Sequence, residues 1–150
     1  MNAKRIAVIG AGSWGTALVN LLTGPQESVG WWVRRQETID HITEYGHNPD
    51  YTSGAQFDVQ HLAMGTDIRA IVKSAEVLVI AVPSAFLKTA MEQLEPDALK
   101  GKTCFSAVKG IVPETNQIVG EYLFESWGVQ KNDLGIICGP CHAEEVALER

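Results

Sequence analysis

No apolar run in the 150-residue sequence approaches the roughly 18 residues that a membrane-spanning helix needs, so membrane insertion is not expected. Cysteine is scarce. Cys104, Cys138 and Cys141 are an odd number without a disulfide-scaffold spacing, which fits a reducing compartment. Basic residues are outnumbered, 12 against 18 acidic, and no local basic patch relieves the net charge of −6. That balance opposes attraction to nucleic acid or to an anionic membrane surface. The four histidines are scattered, with no carboxylate–histidine ligand spacing, so no metal site is expected. Met1-Asn2-Ala3-Lys4-Arg5 leads straight into Ile6 without a signal-peptide cleavage pattern, and a cytoplasmic protein is the expectation. There is no low-complexity tract; hydrophobic residues at 45% and charged residues at 20% are ordinary for one globular domain of this length.

What is present is an alternation of short apolar runs with helix-period segments. Residues 5–9, 28–33, 77–82, 103–108 and 134–138 read as strands, and 13–22 and 37–45 as helices. Residues 46–54 are dense in turn formers and read as a loop, followed by a strand end and helix over 66–73. Pro83 stops the third apolar run, with Ser84 expected to cap a helix to about residue 94. Pro113 and Glu114 are expected to open a helix reaching residue 127. A last helix begins at residue 143 and reads as cut short, so a further domain past residue 150 is expected. Strands that are apolar throughout are buried on both faces, and their alternation with helices predicts an α/β domain: a doubly wound, mainly parallel sheet with helices on both sides.

Gly10-Ala11-Gly12-Ser13-Trp14-Gly15 fits G-x-G-x-x-G directly after a buried strand and at the start of a helix. In that context Gly10 permits the tight turn, Gly12 lets backbone approach a pyrophosphate, and Gly15 brings the helix against the sheet. The helix N-terminus adds amides and partial positive charge for phosphates. This predicts a Rossmann-type dinucleotide site. The second strand of such a site normally ends in an acid that reads a free ribose 2′-hydroxyl; here it ends in Arg34-Arg35. Two guanidiniums suit a 2′-phosphate, so NADP is favoured over NAD, the plainer reading being a solvated strand end.

Cys138-Gly139-Pro140-Cys141 spells the thioredoxin redox sequence, and His142 extends it to the haem-attachment pattern. Thiol–disulfide exchange through Cys138 and Cys141 is the remoter alternative, because few residues follow to complete a thioredoxin-like domain.

Several segments, taken in order, carry a resemblance. They are residues 9–18 around the glycine turn, Trp32-Val33-Arg34-Arg35, Ala81-Val82-Pro83-Ser84, Val108-Lys109-Gly110-Ile111, and Gly139-Pro140-Cys141-His142-Ala143-Glu144-Glu145-Val146. Together they resemble the N-terminal domain of bacterial NAD(P)-dependent glycerol-3-phosphate dehydrogenases. The resemblance implies hydride transfer between a nicotinamide and C2 of glycerol 3-phosphate, giving dihydroxyacetone phosphate. It implies that Ser13 and Trp14 cover the pyrophosphate, that Arg34 and Arg35 hold the adenosine end, and that Tyr51 closes over it. Lys109 would contact both nicotinamide and substrate, Gly139 and Cys141 would help hold glycerol phosphate, and Ala143 would line the cofactor. The family's proton-transferring lysine would lie beyond Arg150. Cys141 and His142 depart from the family's usual Ser or Thr and Phe. Independently of the resemblance, Ser84, Lys109 and Cys141 all follow apolar strands, where ligands bind in open α/β sheets. A lysine there can neutralise a phosphate or polarise a carbonyl. A non-catalytic dinucleotide sensor is the alternative from another class, and a homo-oligomer is compatible with either.

Overall fold

The computed structural model describes residues 4–24, 28–51, 54–138 and 142–148. Gly139 and Cys141, expected at the substrate, lie outside the described residues, as does Pro140.

The chain forms β1 (Ile6–Ile9), α1 (Ser13–Thr23), β2 (Val29–Trp32), α2 (Gln36–Tyr45), β3 (Leu62–Gly65), α3 (Ile68–Ser74), β4 (Val77–Ile80), α4 (Ser84–Met91) and β5 (Thr103–Ser106). A short pair, β6 (Ile111–Val112) and β7 (Gln117–Ile118), precedes α5 (Val119–Trp127), β8 (Leu134–Ile136) and α6 (Ala143–Ala147). Six strands make one parallel sheet in the order β3-β2-β1-β4-β5-β8. This is the doubly wound Rossmann-type α/β architecture that the strand pattern predicts.

Both faces of the sheet are buried, and alternation along a single strand shows it. Ala7 and Ile9 of β1 pack into one core with Ile68, Val72, Leu87 and Leu123. Val8, between them, packs into the opposite core with Leu18, Val19, Ile39 and Ile42. An apolar residue at every position is therefore what the two-sided environment demands; fully burying one such side chain contributes about 1.5–3 kcal/mol. The chain runs outward from β1 to β3 and returns to place β4 against the other side of β1. The reversal opens a crevice beyond the carboxyl ends of β1 and β4.

Three local expectations are corrected. The stretch opened by Pro113 is an antiparallel hairpin, with Ile111 opposite Ile118 and Val112 opposite Gln117. Thr115 and Asn116 donate to the Val112 carbonyl at 3.3 and 2.9 Å, and Asn116 takes φ 55°. Proline suits the second position of such a turn as well as the first turn of a helix, and asparagine tolerates the left-handed region, so α5 begins only at Val119. At α4 the cap position is Pro83, and Ser84 is already helical; the helix ends at Met91 rather than near residue 94. The third strand of the chain ends at Gly65, before Thr66, and Asp67 caps α3 by accepting from Arg69 N–H at 2.9 Å. As a sheet-edge strand, β3 is only partly buried, which is why its residues lack the continuous apolar run of the central strands. No helix among the described residues is long and apolar enough to cross a membrane.

Candidate functional site

The glycine turn is built by steric necessity. Gly10 has φ +117°, and a Cβ there would stand 2.8 Å from the Ala81 carbonyl oxygen. At Gly15 a Cβ would run into the carbonyl oxygen of Gly10. Gly12 is different: a Cβ there would meet no protein atom within 4 Å. The first and third glycines are thus required by the fold itself, whereas the second faces an open cradle. Gly12 is also the N-cap of the 11-residue α1 and offers no side-chain oxygen to the first-turn amides. Those amides and the helix dipole suit an anion in the cradle.

Buried hydrogen bonds hold the turn from two sides. Trp31, fully buried in β2, donates its indole Nε1–H to the Gly10 carbonyl at 2.9 Å. Asn48, with 0% exposure, spends its side-chain amide on the Ala11 carbonyl at 3.2 Å and the Thr16 hydroxyl at 2.8 Å. Its Oδ1 accepts from the Asp50 backbone N–H at 3.0 Å. The turn-rich loop after α2 is therefore strapped onto the glycine turn.

A cleft of about 280 Å³ opens beside it. It is lined by Gly10, Ala11 and Gly12, by Trp32, Val33, Arg34 and Arg35, by Asp50 and Tyr51, and by Val82, Pro83 and Phe86. Arg35 forms an ion pair with Asp50 and stands 3.8 Å from Glu37. Both partners of the first pair are about half exposed, at 48% and 44% of side-chain area.

Of the residues expected at the site, Gly10, Gly12, Arg34, Arg35 and Tyr51 share this cleft. Ser13, Trp14 and Gly15 form the first turn of α1, directly after the lining residue Gly12. Lys109 lies past the end of β5, with its ammonium 5.5 Å from the centre of the Trp14 ring, a cation–π contact that ties it to the glycine turn. Ala143 is buried in a small cluster with Ala17, Ala55 and Ala147, against which Trp14 packs. Cys138 is exposed just past β8. Burial pushes the Cys104 thiol up to about 11, with Lys102 opposing the shift, so this cysteine is protonated at neutral pH.

Sequence reasoning missed Trp31, Asn48, Asp50 and Phe86. Trp31 reads simply as an apolar strand residue, and Asn48 and Asp50 as members of a turn-rich loop. The available pointer was Asn48-Pro49-Asp50 itself, whose polar side chains can bond backbone near them.

Comparison with known proteins agrees with this geometry. The sequence profile for the N-terminus of NAD-dependent glycerol-3-phosphate dehydrogenases matches residues 5–150. A glycerol-3-phosphate dehydrogenase, NAD(P)+, of Macrococcus caseolyticus is 35% identical over 147 residues, covering 97% of this chain and 44% of that protein. The corresponding protein of Chlorobium limicola is 36% identical over 146 residues, with the same two coverages. The crystal structure of glycerol-3-phosphate dehydrogenase from Coxiella burnetii superposes with a TM-score of 0.80 at 25% identity, over 97% of this chain and 43% of that one. The chain thus spans less than half the length of these relatives. With the glycine turn, its cleft and a match over nearly every residue in agreement, the chain belongs to the family of NAD-dependent glycerol-3-phosphate dehydrogenase N-terminal domains.

Proposed function

We propose that this chain binds NADP in preference to NAD and forms the cofactor-holding part of an enzyme interconverting sn-glycerol 3-phosphate and dihydroxyacetone phosphate. The observation that carries the reading is the open cradle at Gly12, at the N-terminus of α1, within a chain of this family. The dinucleotide, when bound, supplies the hydride chemistry at its nicotinamide. The residues of the chain supply position and charge.

Gly12 and the first turn of α1, with Ser13 and Trp14, take the pyrophosphate. Arg34 and Arg35 take the 2′-phosphate at the adenosine end, where Tyr51 and Phe86 also line the cleft. Lys109, whose ammonium stands 5.5 Å from the Trp14 ring centre, takes the role of neutralising the substrate phosphate or polarising its carbonyl in this reading. Ala143, in the small cluster against which Trp14 packs, lines the cofactor in this reading. Gly139 and Cys141 are proposed substrate contacts on the strength of the resemblance alone. No residue of this chain is assigned the proton transfer, for which general acid–base help contributes about 10²–10⁴-fold. The setting proposed is cytoplasmic, with no metal and no nucleic-acid partner.

Two measurements test this. Calorimetry of the chain with NADPH and with NADH is expected to show tighter binding of NADPH; a preference for NADH that survives Arg34→Ala and Arg35→Ala overturns the nucleotide assignment. Following NADPH absorbance with dihydroxyacetone phosphate present, the 150-residue chain is expected to bind without turning over. Robust turnover by these residues alone would show that the proton donor is among them.

A further inference from the structure

An acid is the usual reader of the ribose 2′-hydroxyl at the end of the second strand, and this chain has Arg34-Arg35 there instead. The fold nevertheless brings a carboxylate to that place from elsewhere in the chain. Asp50, in the loop between α2 and β3, pairs with Arg35, and both side chains line the cleft with Arg34. We propose that Asp50 limits the NADPH preference of this cleft: its carboxylate competes with a 2′-phosphate for the Arg35 guanidinium and accepts a free 2′-hydroxyl instead. The inference rests on the dinucleotide reading above.

Asp50 is not a drifting surface side chain. Its backbone N–H donates to Asn48 Oδ1 at 3.0 Å, and Asn48 is fully buried and bonded to the glycine turn at Ala11 and Thr16. The same strap that holds the glycine turn therefore fixes the backbone that carries Asp50 beside Arg35, while its half-exposed carboxylate stays free to exchange partners. Glu37, 3.8 Å from Arg35, draws further on the same guanidinium. Among the described residues Arg34 makes no ion pair within 4.0 Å, so it carries the uncompensated positive charge of the pair. A 2′-phosphate, carrying close to two negative charges at neutral pH, gains one guanidinium outright and must displace a carboxylate to gain the second. A ribose with a free 2′-hydroxyl meets no such repulsion and can donate to Asp50. The preference for NADPH that two arginines imply is thereby narrowed.

The test is calorimetric titration of the 150-residue chain, unaltered and as Asp50→Asn, with NADPH, NADH, adenosine 2′,5′-bisphosphate and 5′-AMP. Asparagine keeps the backbone bond to Asn48 and removes the charge. NADPH is expected to bind about tenfold more tightly to the variant and NADH about threefold more weakly, the scale of a charge-assisted hydrogen bond partly exposed to water. The bisphosphate should gain over 5′-AMP in the same sense, which confines the effect to the 2′ position. Asp50→Ala, which also lacks the charge, is expected to shift the ratio the same way. An NADPH to NADH ratio unchanged in both variants overturns the role of Asp50 while leaving dinucleotide binding intact. An unaltered chain that binds neither dinucleotide overturns the functional reading itself, and this inference with it.

Discussion

The two ends of the cleft are held by different kinds of force. At the glycine turn, neutral hydrogen bonds from fully buried side chains, Trp31 to Gly10 and Asn48 to Ala11 and Thr16, fix the backbone. At the Arg34-Arg35 end, exposed charges face one another: Arg35 against Asp50 and Glu37, with Arg34 beside them. Buried neutral bonds are insensitive to salt and expensive to break, because the orphaned partner stays dry. Exposed ion pairs contribute little to stability and rearrange readily. The contrast suits the ligand. On the proposed reading, the pyrophosphate common to both nucleotides would meet a rigid receptor, and the single group that distinguishes them an adjustable one.

The comparison breaks most completely at Gly12. Gly12→Val should abolish binding of NADPH and NADH alike, a loss of at least about 100-fold, because the side chain enters the space proposed for the pyrophosphate. The fold should survive, since no protein atom lies within 4 Å of a Cβ there. Circular dichroism paired with titration checks both halves. Wild-type affinity in this variant would falsify the placement of the pyrophosphate.

A smaller effect is expected at Asn48. Asn48→Leu leaves the Ala11 carbonyl without its buried donor and unstraps the loop, costing about 1–3 kcal/mol. For a domain of this size that corresponds to a fall of roughly 3–10 °C in thermal midpoint. Both nucleotides should weaken, by about tenfold, since the shared receptor is loosened. This separates Asn48 from Asp50, whose substitution moves the two affinities in opposite directions. A change in their ratio with no common loss would mean that the strap does not support the turn.

The same division governs what could be read in the sequence. The central strands were legible because two-sided burial forces apolar residues at consecutive positions, as in Val77–Ile80, and the glycine turn because sterics leave little choice at Gly10 and Gly15. The edge strand Leu62–Gly65, buried on one side only in part, carried a weaker pattern and was mostly missed. Pro113 fits a helix start and a tight turn equally well, and only the pairing of Ile111 with Ile118 decides between them. Arg34 and Arg35 are expected at the cleft from their position after the second strand, and both line it. The partner of Arg35 is not expected there, because Asp50 lies 15 residues further on and its approach depends on how one buried asparagine folds the loop back. Local chemistry announces itself in sequence; a long-range ion pair does not.

The finest test uses salt, because it acts on one end of the cleft and not the other. Both nucleotides carry the pyrophosphate, so whatever screening does at α1 cancels in the ratio of their affinities. What remains is the 2′-phosphate against the exposed guanidiniums of Arg34 and Arg35. The Debye length shrinks from about 10 Å at 0.1 M to about 3 Å at 1 M, so this residual attraction is the part that salt removes. The NADPH to NADH affinity ratio should therefore fall by roughly threefold over that range, the magnitude expected of exposed charges. In Asp50→Asn the fall should be steeper, since Arg35, then opposed by Glu37 alone, engages the phosphate beside Arg34. A ratio that is indifferent to salt in both proteins would mean that the group is gripped by buried contacts, and the contrast between a rigid and an adjustable end would be lost.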